Sequence, residues 1–366
     1  MNIDRAWMQL AIREARKGLG RTSPNPCVGA VVVRNNRLIA AGYHHRAGTP
    51  HAEVHALRAA GAKASGATIY VTLEPCNHTG RTPPCTQAIL AAGIKRVVVG
   101  MLDPNPLVAG GGCQALAAQG LEVTQGVLAE ECRSLNRPFS KHITTGLPWV
   151  IMKAGMSLDG RLALASGQCS WLTNEQSRRQ VHRLRDRVDA ILIGSGTALG
   201  DDPALTTRLP GHRGRDPLRV ILDTALRLPP SAKMLQQVSS APTWIFCGSE
   251  ADPQRAEALI GAGAVIKQVR LDEAGQLDLA AVLCELGRAQ LTSVLVEGGS
   301  RVHTAFLRAN LVDEVQIFVA PIFIGADGVP LVDTLGLQQV ADAPRFRTTK
   351  VRRFGNDVLI EGLVEK

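Results

Sequence analysis

The sequence predicts two α/β domains in tandem. Three observations support this prediction: a length of 366 residues, 45% hydrophobic against 20% charged residues, and short apolar runs that alternate with segments of helical periodicity. The length suits two domains of ordinary size, and the composition supplies enough apolar side chains for a core in each. Alternating strand and helix signals are typical of layered α/β folds.

The first series of elements covers residues 1–145. A helix is predicted over 3–19, where apolar residues recur at helical spacing, and the rigid turn Pro24-Asn25-Pro26 follows it. The remaining elements are strands at 28–33, 38–41, 68–73 and 96–100, a helix from about His51 to Ala60, a helix after Pro84, and a polar helix near 128–141. We expect helices to cover a short sheet and residues 142–148 to form the linker.

The second series covers residues 146–366. Strand-like runs occur at 149–154, 189–194, 218–223, 243–247, 292–296 and 314–320, with helical stretches between several of them, for example at 175–187 and 278–289. This order predicts a second α/β domain with a mostly parallel sheet.

Charge and cysteine content limit the protein class. Residues 1–145 contain 16 Lys or Arg against 8 Asp or Glu, so they hold +8 of the net charge of +9, and we expect an anionic partner to bind there. No apolar run approaches the roughly 18 residues of a membrane span, so no membrane partner is expected. The charged N-terminal segment does not look like a secretory signal, and eight cysteines are too few for a disulfide scaffold. The sequence therefore predicts a cytoplasmic protein with reduced thiols.

The strongest local signal is His51-Ala52-Glu53, followed by Cys76 after a proline and later by Cys85. One imidazole and two thiolates leave a fourth tetrahedral position open for water, which is typical of a catalytic zinc ion. Glu53, which is not a ligand, is placed to move a proton to a departing amine. The pattern H-x-E…P-C-x-x-C marks zinc nucleobase deaminases, although Cys76 and Cys85 here have eight residues between them instead of two.

The zinc hypothesis makes a structural demand on the predicted helix. Residues two apart on a regular helix do not share a face, so His51 and Glu53 converge only if the metal lies near the helix start. Pro50 predicts that start. Similarly, Pro83 and Pro84 predict a helix that begins near Cys85, where a thiolate is favoured.

Two other interpretations of these residues remain open. His51 and His55 have the i, i+4 spacing of a metalloprotease, but that motif requires Glu directly after the first His, where Ala52 stands. The second interpretation is that these residues bind no metal: the histidine lies at a helix start, and the two thiols are buried as small apolar groups.

The second domain has two glycine turns but no G-x-G-x-x-G fingerprint. Gly194-Ser195-Gly196 follows an apolar strand, and Gly200 comes one place late. Gly298-Gly299 lies between the apolar run 294–296 and a helix-like segment, which indicates either a phosphate cradle or a tight turn without a ligand. Of the arginines over 178–187, only one or two are expected to reach a ligand, and Trp171 is expected to stack on a ring or to cap the core.

Taken together, these motifs make the sequence similar to the bifunctional deaminase–reductase family of riboflavin biosynthesis over nearly the whole chain. The residues that carry the resemblance are PNPCVGAVVV (24–33), HAEVHAL (51–57), TLEPCNHTGRTPPC (72–85), DPNPLVAGGG (103–112), KAGMSLDGRLALASG (153–167), GTALGDDPALTTR (196–208) and VEGGS (296–300). The long insertion between the two cysteines is a feature of this family.

The resemblance implies an N-terminal domain with a cytidine-deaminase-like three-layer α/β/α fold. This domain would remove an amine from 2,5-diamino-6-(5-phosphoribosylamino)pyrimidin-4(3H)-one, with one Zn²⁺ on His51, Cys76 and Cys85 and with Glu53 as the catalytic proton shuttle. Asn25 and the loop 77–82, including His78 and Arg81, look like substrate contacts.

For the C-terminal domain the resemblance implies a dihydrofolate-reductase-like α/β fold that uses NADPH to reduce the ribosyl group to ribityl, with the hydride going to C1′ of the opened sugar. The implied cofactor contacts are Gly155, Trp171, Thr197, Asp201, Thr224, Gly299, Ser300, Arg301, Val302, His303, Thr304 and Ala305. The implied substrate contacts are Lys153, Cys169, Arg185, Leu205, Arg208 and Glu297. Cys169 stands where family members can carry serine.

The family forms homo-oligomers, so a homodimer is expected, with a small phosphorylated pyrimidine as substrate and no nucleic acid. One rival hypothesis is a tRNA-editing deaminase whose basic half holds RNA. It leaves the second domain without a role, and an aromatic content of only 4% offers no stacking set for bases. A second rival, from another class, is a non-catalytic zinc-binding protein that senses NADP.

Overall fold

The computed structural model describes residues 3–78, 83–105, 111–166, 171–211 and 214–365. Two of the expected substrate contacts, Arg81 and Cys169, lie outside these ranges. The chain divides into two compact units, residues 1–147 and residues 148–366. Within the described ranges, no helix combines the length and the apolar character that crossing a membrane requires.

The first unit is built on a five-stranded sheet. Its helices are α1 (Ile3–Ala15), α2 (Ala52–Ala60), α3 (Cys85–Ala91), α4 (Gly111–Ala118), α5 (Ala129–Leu135) and α6 (Arg137–Thr145). Its strands are β1 (Gly29–Arg34), β2 (Arg37–Tyr43), β3 (Thr68–Leu73), β4 (Arg96–Met101) and β5 (Glu122–Gln125). The strand order is β2-β1-β3-β4-β5; β1 is antiparallel to both neighbours, and β3, β4 and β5 are parallel.

The central strands of this sheet are covered on both faces. Every residue of β1 from Gly29 to Val33 is buried, as is every residue of β3 after Thr68 and of β4 after Arg96. Because successive side chains point to opposite faces, burial of consecutive residues requires a layer on each side. The helices supply these layers, with α1 and α2 packed on β1 and with α5 packed on β4.

The end of this unit differs from the sequence prediction. The single polar helix expected near 128–141 is divided at Asn136 into α5 and α6. The Asn136 amide accounts for the break, because its Oδ1 accepts the Cys27 N–H at 2.8 Å and its Nδ2 donates to the Cys27 carbonyl at 3.0 Å. Helix α6 continues to Thr145, so the first four residues of the predicted linker 142–148 are helical.

The second unit contains a nine-stranded sheet. The helices are α7 (Glu175–Arg185), α8 (Ser195–Asp201), α9 (Lys233–Gln236), α10 (Pro253–Gly261), α11 (Leu279–Arg288) and α12 (Ser300–Arg308). The strands are β6 (Trp149–Ser157), β7 (Arg161–Leu164), β8 (Ala190–Gly194), β9 (Leu218–Leu222), β10 (Thr243–Cys247), β11 (Ala264–Gln268), β12 (Ser293–Val296), β13 (Glu314–Ala320), β14 (Gly328–Pro330), β15 (Phe346–Phe354) and β16 (Asp357–Val364).

The large sheet has the order β11-β10-β9-β8-β12-β6-β13-β16-β15, and β14 pairs with β7 separately. The seven strands from β11 to β13 are parallel, and β16 and β15 continue the sheet antiparallel. The carboxyl ends of parallel strands lie on one edge, where open α/β sheets bind ligands. The turns after β8, β9 and β12 therefore open on the same edge.

Candidate functional site

In the first unit, three separate segments bring His51, Cys76 and Cys85 together. His51 is the N-cap of α2 and has extended backbone angles, so the predicted helix start at this histidine is confirmed. Cys76 follows β3, and Cys85 is the first residue of α3, as the two prolines before it predict. Both the imidazole and the second thiol are thus held at the beginning of a helix.

The ligand atoms of the three side chains all lie within 4.8 Å of one another. Nδ1 of His51 is 3.3 Å from Sγ of Cys85 and 3.6 Å from Sγ of Cys76, and the Cys85 N–H donates to Sγ of Cys76 at 3.3 Å. In a tetrahedral zinc site with nitrogen and sulfur ligands, the ligand atoms lie about 3.3–3.8 Å from one another. The donor set and its spacing therefore fit a zinc ion with one open coordination position.

Hydrogen bonding within the cluster already favours a thiolate. The interaction with Cys85 lowers the pKa of Cys76 to about 4, and the interaction with Cys76 raises the pKa of both His51 and Cys85. Metal binding requires deprotonated sulfur and a neutral imidazole nitrogen, so a zinc ion held by His51, Cys76 and Cys85 would take the place of these shared protons.

Glu53 lies in the first turn of α2, with only 3% of its surface exposed. Its Oε2 is buried and has no hydrogen-bond partner among the described residues. Burial raises the pKa of this carboxyl to about 6. An unpartnered buried carboxylate oxygen beside a three-ligand cluster fits the position of a group that accepts a proton from metal-bound water.

His44, which precedes the His51-Ala52-Glu53 motif, orients Asn25, an expected substrate contact. Nδ1 of His44 donates to the Pro50 carbonyl at 3.1 Å, and Nε2 of His44 lies 3.1 Å from Nδ2 of Asn25. Nδ1 is the donor nitrogen because it faces a carbonyl, so in the neutral ring, which burial favours by lowering the pKa of His44, Nε2 accepts from the Asn25 amide. The amide oxygen of Asn25 is then directed away from His44.

The rival pairing of His51 with His55 does not match this geometry. The His55 ring stacks on His45 with a centroid distance of 4.2 Å, and the cluster identified among the described residues contains His51 but not His55. The expected substrate contact His78 is exposed, two residues after Cys76.

In the second unit, the two glycine turns that the sequence shows separately are neighbours in space. The Gly194 N–H donates to the Gly298 carbonyl at 3.0 Å, because β8 and β12 are adjacent parallel strands. A Cβ on Gly299 would lie 3.1 Å from Oγ1 of Thr197. The turn after β8 and the turn before α12 therefore form one surface, which contains Thr197, Gly299 and Ser300.

A buried charge cluster lies next to these turns. Arg185 on α7 donates from Nε and Nη2 to the two carboxylate oxygens of Glu297, both at 2.8 Å, and Nζ of Lys153 on β6 is 3.7 Å from Oε2 of Glu297. Burial by itself would raise the pKa of Glu297, but the charges of Arg185 and Lys153 lower it to about 2. Burial lowers the pKa of Lys153. The cluster is thus a carboxylate between two cations.

The remaining expected cofactor contacts occupy different surroundings. Gly155 is on β6, and Thr224 follows β9. Trp171 is 75% exposed, with the Arg178 guanidinium 5.2 Å from its ring centroid. Within the segment 299–305, Arg301 and Ala305 are exposed, Val302 is half-buried, and His303 and Thr304 are buried under the turn. Asp201, the last residue of α8, is exposed.

Two expected substrate contacts lie on the segment that follows α8. Leu205 is only 3% exposed and belongs to the apolar core around Ile193 and Ile221, so little of this residue is open to a ligand. Arg208 is exposed, and its N–H donates to Nδ1 of His182 at 3.2 Å. Arg185 also donates to the Thr206 carbonyl at 3.0 Å, so α7 anchors this segment at two points.

The sequence interpretation overlooked three residues that organise the sites. His44 orients Asn25, His182 holds the backbone at Arg208, and Glu74 accepts the N–H groups of Asp103 and Cys113 at 3.1 and 3.0 Å. The position of Glu74 was a usable signal, because a carboxylate directly after an apolar strand needs buried partners. Nothing local marks the two histidines.

Comparisons with known proteins give a family match for each of the two units. Residues 1–101 match the model of the cytidine and deoxycytidylate deaminase zinc-binding region, and residues 148–360 match that of the RibD C-terminal domain. The riboflavin biosynthesis protein RibD of Escherichia coli (strain K12) is 42% identical over 369 residues, or 98% of each chain.

Two solved structures are similar over the whole chain. RibD of Acinetobacter baumannii has 38% identity and a TM-score of 0.88, covering 100% of this chain and 99% of that one. A Thermotoga maritima protein, described as a diaminohydroxyphosphoribosylaminopyrimidine deaminase/5-amino-6-(5-phosphoribosylamino)uracil reductase, has 37% identity and a TM-score of 0.85, covering 99% of each chain.

The fold, the cluster and these matches define the class as a zinc-dependent deaminase domain followed by an NADPH-dependent reductase domain. The first domain is cytidine-deaminase-like, and the second has a dihydrofolate-reductase-like fold. The chain belongs to the RibD family of bifunctional riboflavin biosynthesis enzymes. It is therefore an enzyme with hydrolase and oxidoreductase activities on a small-molecule substrate.

Proposed function

We propose that this enzyme deaminates 2,5-diamino-6-(5-phosphoribosylamino)pyrimidin-4(3H)-one and then reduces the product, 5-amino-6-(5-phosphoribosylamino)uracil, to 5-amino-6-(5-phosphoribitylamino)uracil. The observation that carries the proposal is the convergence of His51, Cys76 and Cys85 beside Oε2 of Glu53, a buried atom with no hydrogen-bond partner in the described part of the chain. The described activity of the similar Thermotoga maritima protein names the same deaminase and reductase steps.

In the deaminase site, His51, Cys76 and Cys85 hold the zinc ion. The bound ion supplies a water whose pKa is near neutrality. Glu53 takes the proton of that water on Oε2 and passes it to the amine that leaves. Because α2 begins beside the cluster, its N-terminal end favours negative charge at the attacking oxygen.

Asn25, His78 and Arg81 are the proposed substrate contacts of this domain. The fixed amide of Asn25 presents its oxygen as an acceptor, and the pyrimidine carries amine donors that this oxygen can bind. His78, together with Arg81 from the neighbouring part of the loop, provides polar and cationic groups suited to the phosphate.

In the reductase site, bound NADPH would supply the hydride that reduces C1′ of the opened sugar. The proposed cofactor contacts are the surface formed by the two glycine turns (Thr197 and 299–305) together with Gly155, Trp171, Asp201 and Thr224. The first N–H groups of α12 face this surface and suit the pyrophosphate. His303 and Thr304 are buried and the His303 N–H donates to the Gly299 carbonyl, so the proposal assigns these two residues to the support of this surface.

The proposed substrate contacts of the reductase are Lys153, Cys169, Arg185, Leu205, Arg208 and Glu297. Glu297 keeps its charge because two cations face it, so it is an acceptor for the hydroxyl groups of the sugar. Arg208 is exposed and available for the phosphate.

The test is the Glu53→Gln variant, measured with both substrates. Gln keeps the shape of the side chain but cannot take a proton, so we expect one zinc per chain, no ammonia release, and unchanged NADPH oxidation when the deaminated substrate is supplied. Wild-type enzyme and Glu131→Gln, a change at an exposed position of α5, are the controls. Deamination by Glu53→Gln at the parent rate would show that the proton shuttle is another group.

We further propose the domain limits 1–145 and 146–366, a cytoplasmic location and a homodimer. The division into compact units near residue 147 supports the limits. The cysteines of the described ranges are free thiols, which suits a reducing compartment. Strand β15 supports the homodimer, since it is an edge strand with Phe346 and Val351 exposed, and open edges pair with other chains. Sedimentation as a monomer at micromolar concentration would contradict it.

A further inference from the structure

The guanidinium of Arg227 lies where the carboxyl ends of β8 and β9 meet. These strands pair in parallel, with Gly194 opposite Leu222, so the residues that follow, Ser195 and Asp223, leave the sheet side by side. Nη2 of Arg227 donates to Oγ of Ser195 at 2.6 Å, and its Nε is 3.5 Å from Oδ1 of Asp223. The side chain therefore bridges the two turns.

This bridge stands between two proposed NADPH contacts. Thr197 is two residues after Ser195 on α8, and Thr224 directly follows Asp223. The turn that carries Thr224 is held rigidly, because the Leu226 N–H donates to the Asp223 carbonyl at 3.1 Å and the Gly248 N–H donates to the Thr224 carbonyl at 3.1 Å. Arg227 is thus a fixed cation at the edge of the cofactor surface.

The orientation of the Asp223 side chain, next to Arg227, indicates which dinucleotide the site favours. In nucleotide-binding β–α–β units, an acidic residue near the end of the second strand accepts the adenosine 2′-hydroxyl of NAD, whereas an arginine accommodates the 2′-phosphate of NADP. Here the Asp223 side chain is 0% exposed, and its Oδ2 accepts the Leu228 N–H at 2.8 Å. The acid is turned into the protein, while 56% of the Arg227 side chain is exposed.

From this geometry we propose that Arg227, positioned by Ser195 and Asp223, binds the adenosine 2′-phosphate and makes the reductase prefer NADPH over NADH. This inference rests on the proposed NADPH site. The exposed N–H donors of a guanidinium match an anion with several acceptor oxygens, and the 2′-phosphate is the part of NADPH that NADH lacks.

Arg227→Gln and Arg227→Lys in the full-length zinc enzyme test the proposal. With the deaminated substrate supplied, we expect Arg227→Gln to raise the KM for NADPH about 10- to 100-fold, the range for a lost charged hydrogen bond, with kcat and the KM for NADH within about twofold. Arg227→Lys should recover part of the loss. Arg255→Gln is the matched control, because Arg255 contacts the same turn through the Ala225 carbonyl and is similarly exposed.

Calorimetric binding of 2′,5′-ADP and 5′-AMP gives a readout independent of turnover. We expect Arg227→Gln to weaken 2′,5′-ADP by the same factor and to leave 5′-AMP unchanged. Equal losses for both nucleotides, or an unchanged KM for NADPH, would overturn the role of Arg227. Failure of the wild-type enzyme to oxidise NADPH would instead count against the proposed function, and the binding of 2′,5′-ADP would still decide the question for Arg227.

Discussion

The close approach of α4 to the segment that carries Cys76 makes Gly112 a sharp test of the zinc site. A Cβ added at Gly112 would lie 1.9 Å from the Pro75 carbonyl oxygen and 3.3 Å from Cγ of Glu74. Real Cβ atoms essentially never come within 3.0 Å of such an atom, so Gly112→Ala must separate α4 from Pro75 by about 1 Å. Pro75 directly precedes the ligand Cys76.

The required movement is large compared with the tolerance of a zinc site. Ligand distances hold within about 0.2 Å, so a shift of about 1 Å exceeds the tolerance roughly fivefold. Overpacking of this kind costs about 1–3 kcal/mol of stability, and a misplacement of about 1 Å at a catalytic centre costs about 100-fold in rate. We therefore expect Gly112→Ala to fold, to bind less than one zinc per chain, and to release ammonia at least about 100-fold more slowly.

The assay combines zinc content, ammonia release and NADPH oxidation on the same preparation. NADPH oxidation with the deaminated substrate reports on the second unit and is expected to remain at the parent rate. Gly111→Ala is the matched control, since a Cβ at this preceding residue meets no atom of the described residues within 4 Å and alanine favours a helix. If Gly112→Ala retained a full zinc complement and the parent rate of deamination, the steric reasoning would be refuted.

Three further outcomes are expected. Chelation of zinc should abolish ammonia release, leave NADPH oxidation within about twofold, and be reversed by added Zn²⁺; deamination by metal-free enzyme would contradict the site. Glu297→Gln should lower the free energy of unfolding at pH 7 by about 3–5 kcal/mol, because Arg185 and Lys153 lose their counter-charge. Since the wild-type carboxyl has a pKa of about 2, the difference in free energy of unfolding between wild type and variant should decrease as pH falls from about 4.3 towards 2. Urea unfolding over this pH range measures it. Burial lowers the pKa of His303 to about 4, so between about pH 6.5 and 4 the unfolded chain protonates this histidine while the folded chain does not. The wild-type Tm should therefore fall more steeply over this pH range than the Tm of His303→Gln. Equal dependence of Tm on pH in the two proteins would contradict this prediction.

Local patterns predicted those elements whose signal is contained in their own residues. The strands at 68–73, 243–247 and 314–320 occur with the predicted limits, because a fully buried strand is a continuous apolar run between polar turns. By contrast, β15 is exposed over its first six residues and carries cations such as Arg347 and Lys350, so it shows neither a run nor an alternation. Its place in the sheet depends on pairing with β16.

The sequence by itself determined the donor types of the metal cluster, the helix starts at His51 and Cys85, and the glycines of both turns, because short spacings and proline positions act within a few residues. Only the tertiary structure decided which of these groups meet. Arg185 reaches Glu297 across 112 residues, and Gly194 contacts Gly298, since the order of parallel strands sets neighbours that no local pattern encodes. The burial of Asp223 beneath the exposed Arg227 follows from the same strand order, because the two turns share one edge of the sheet.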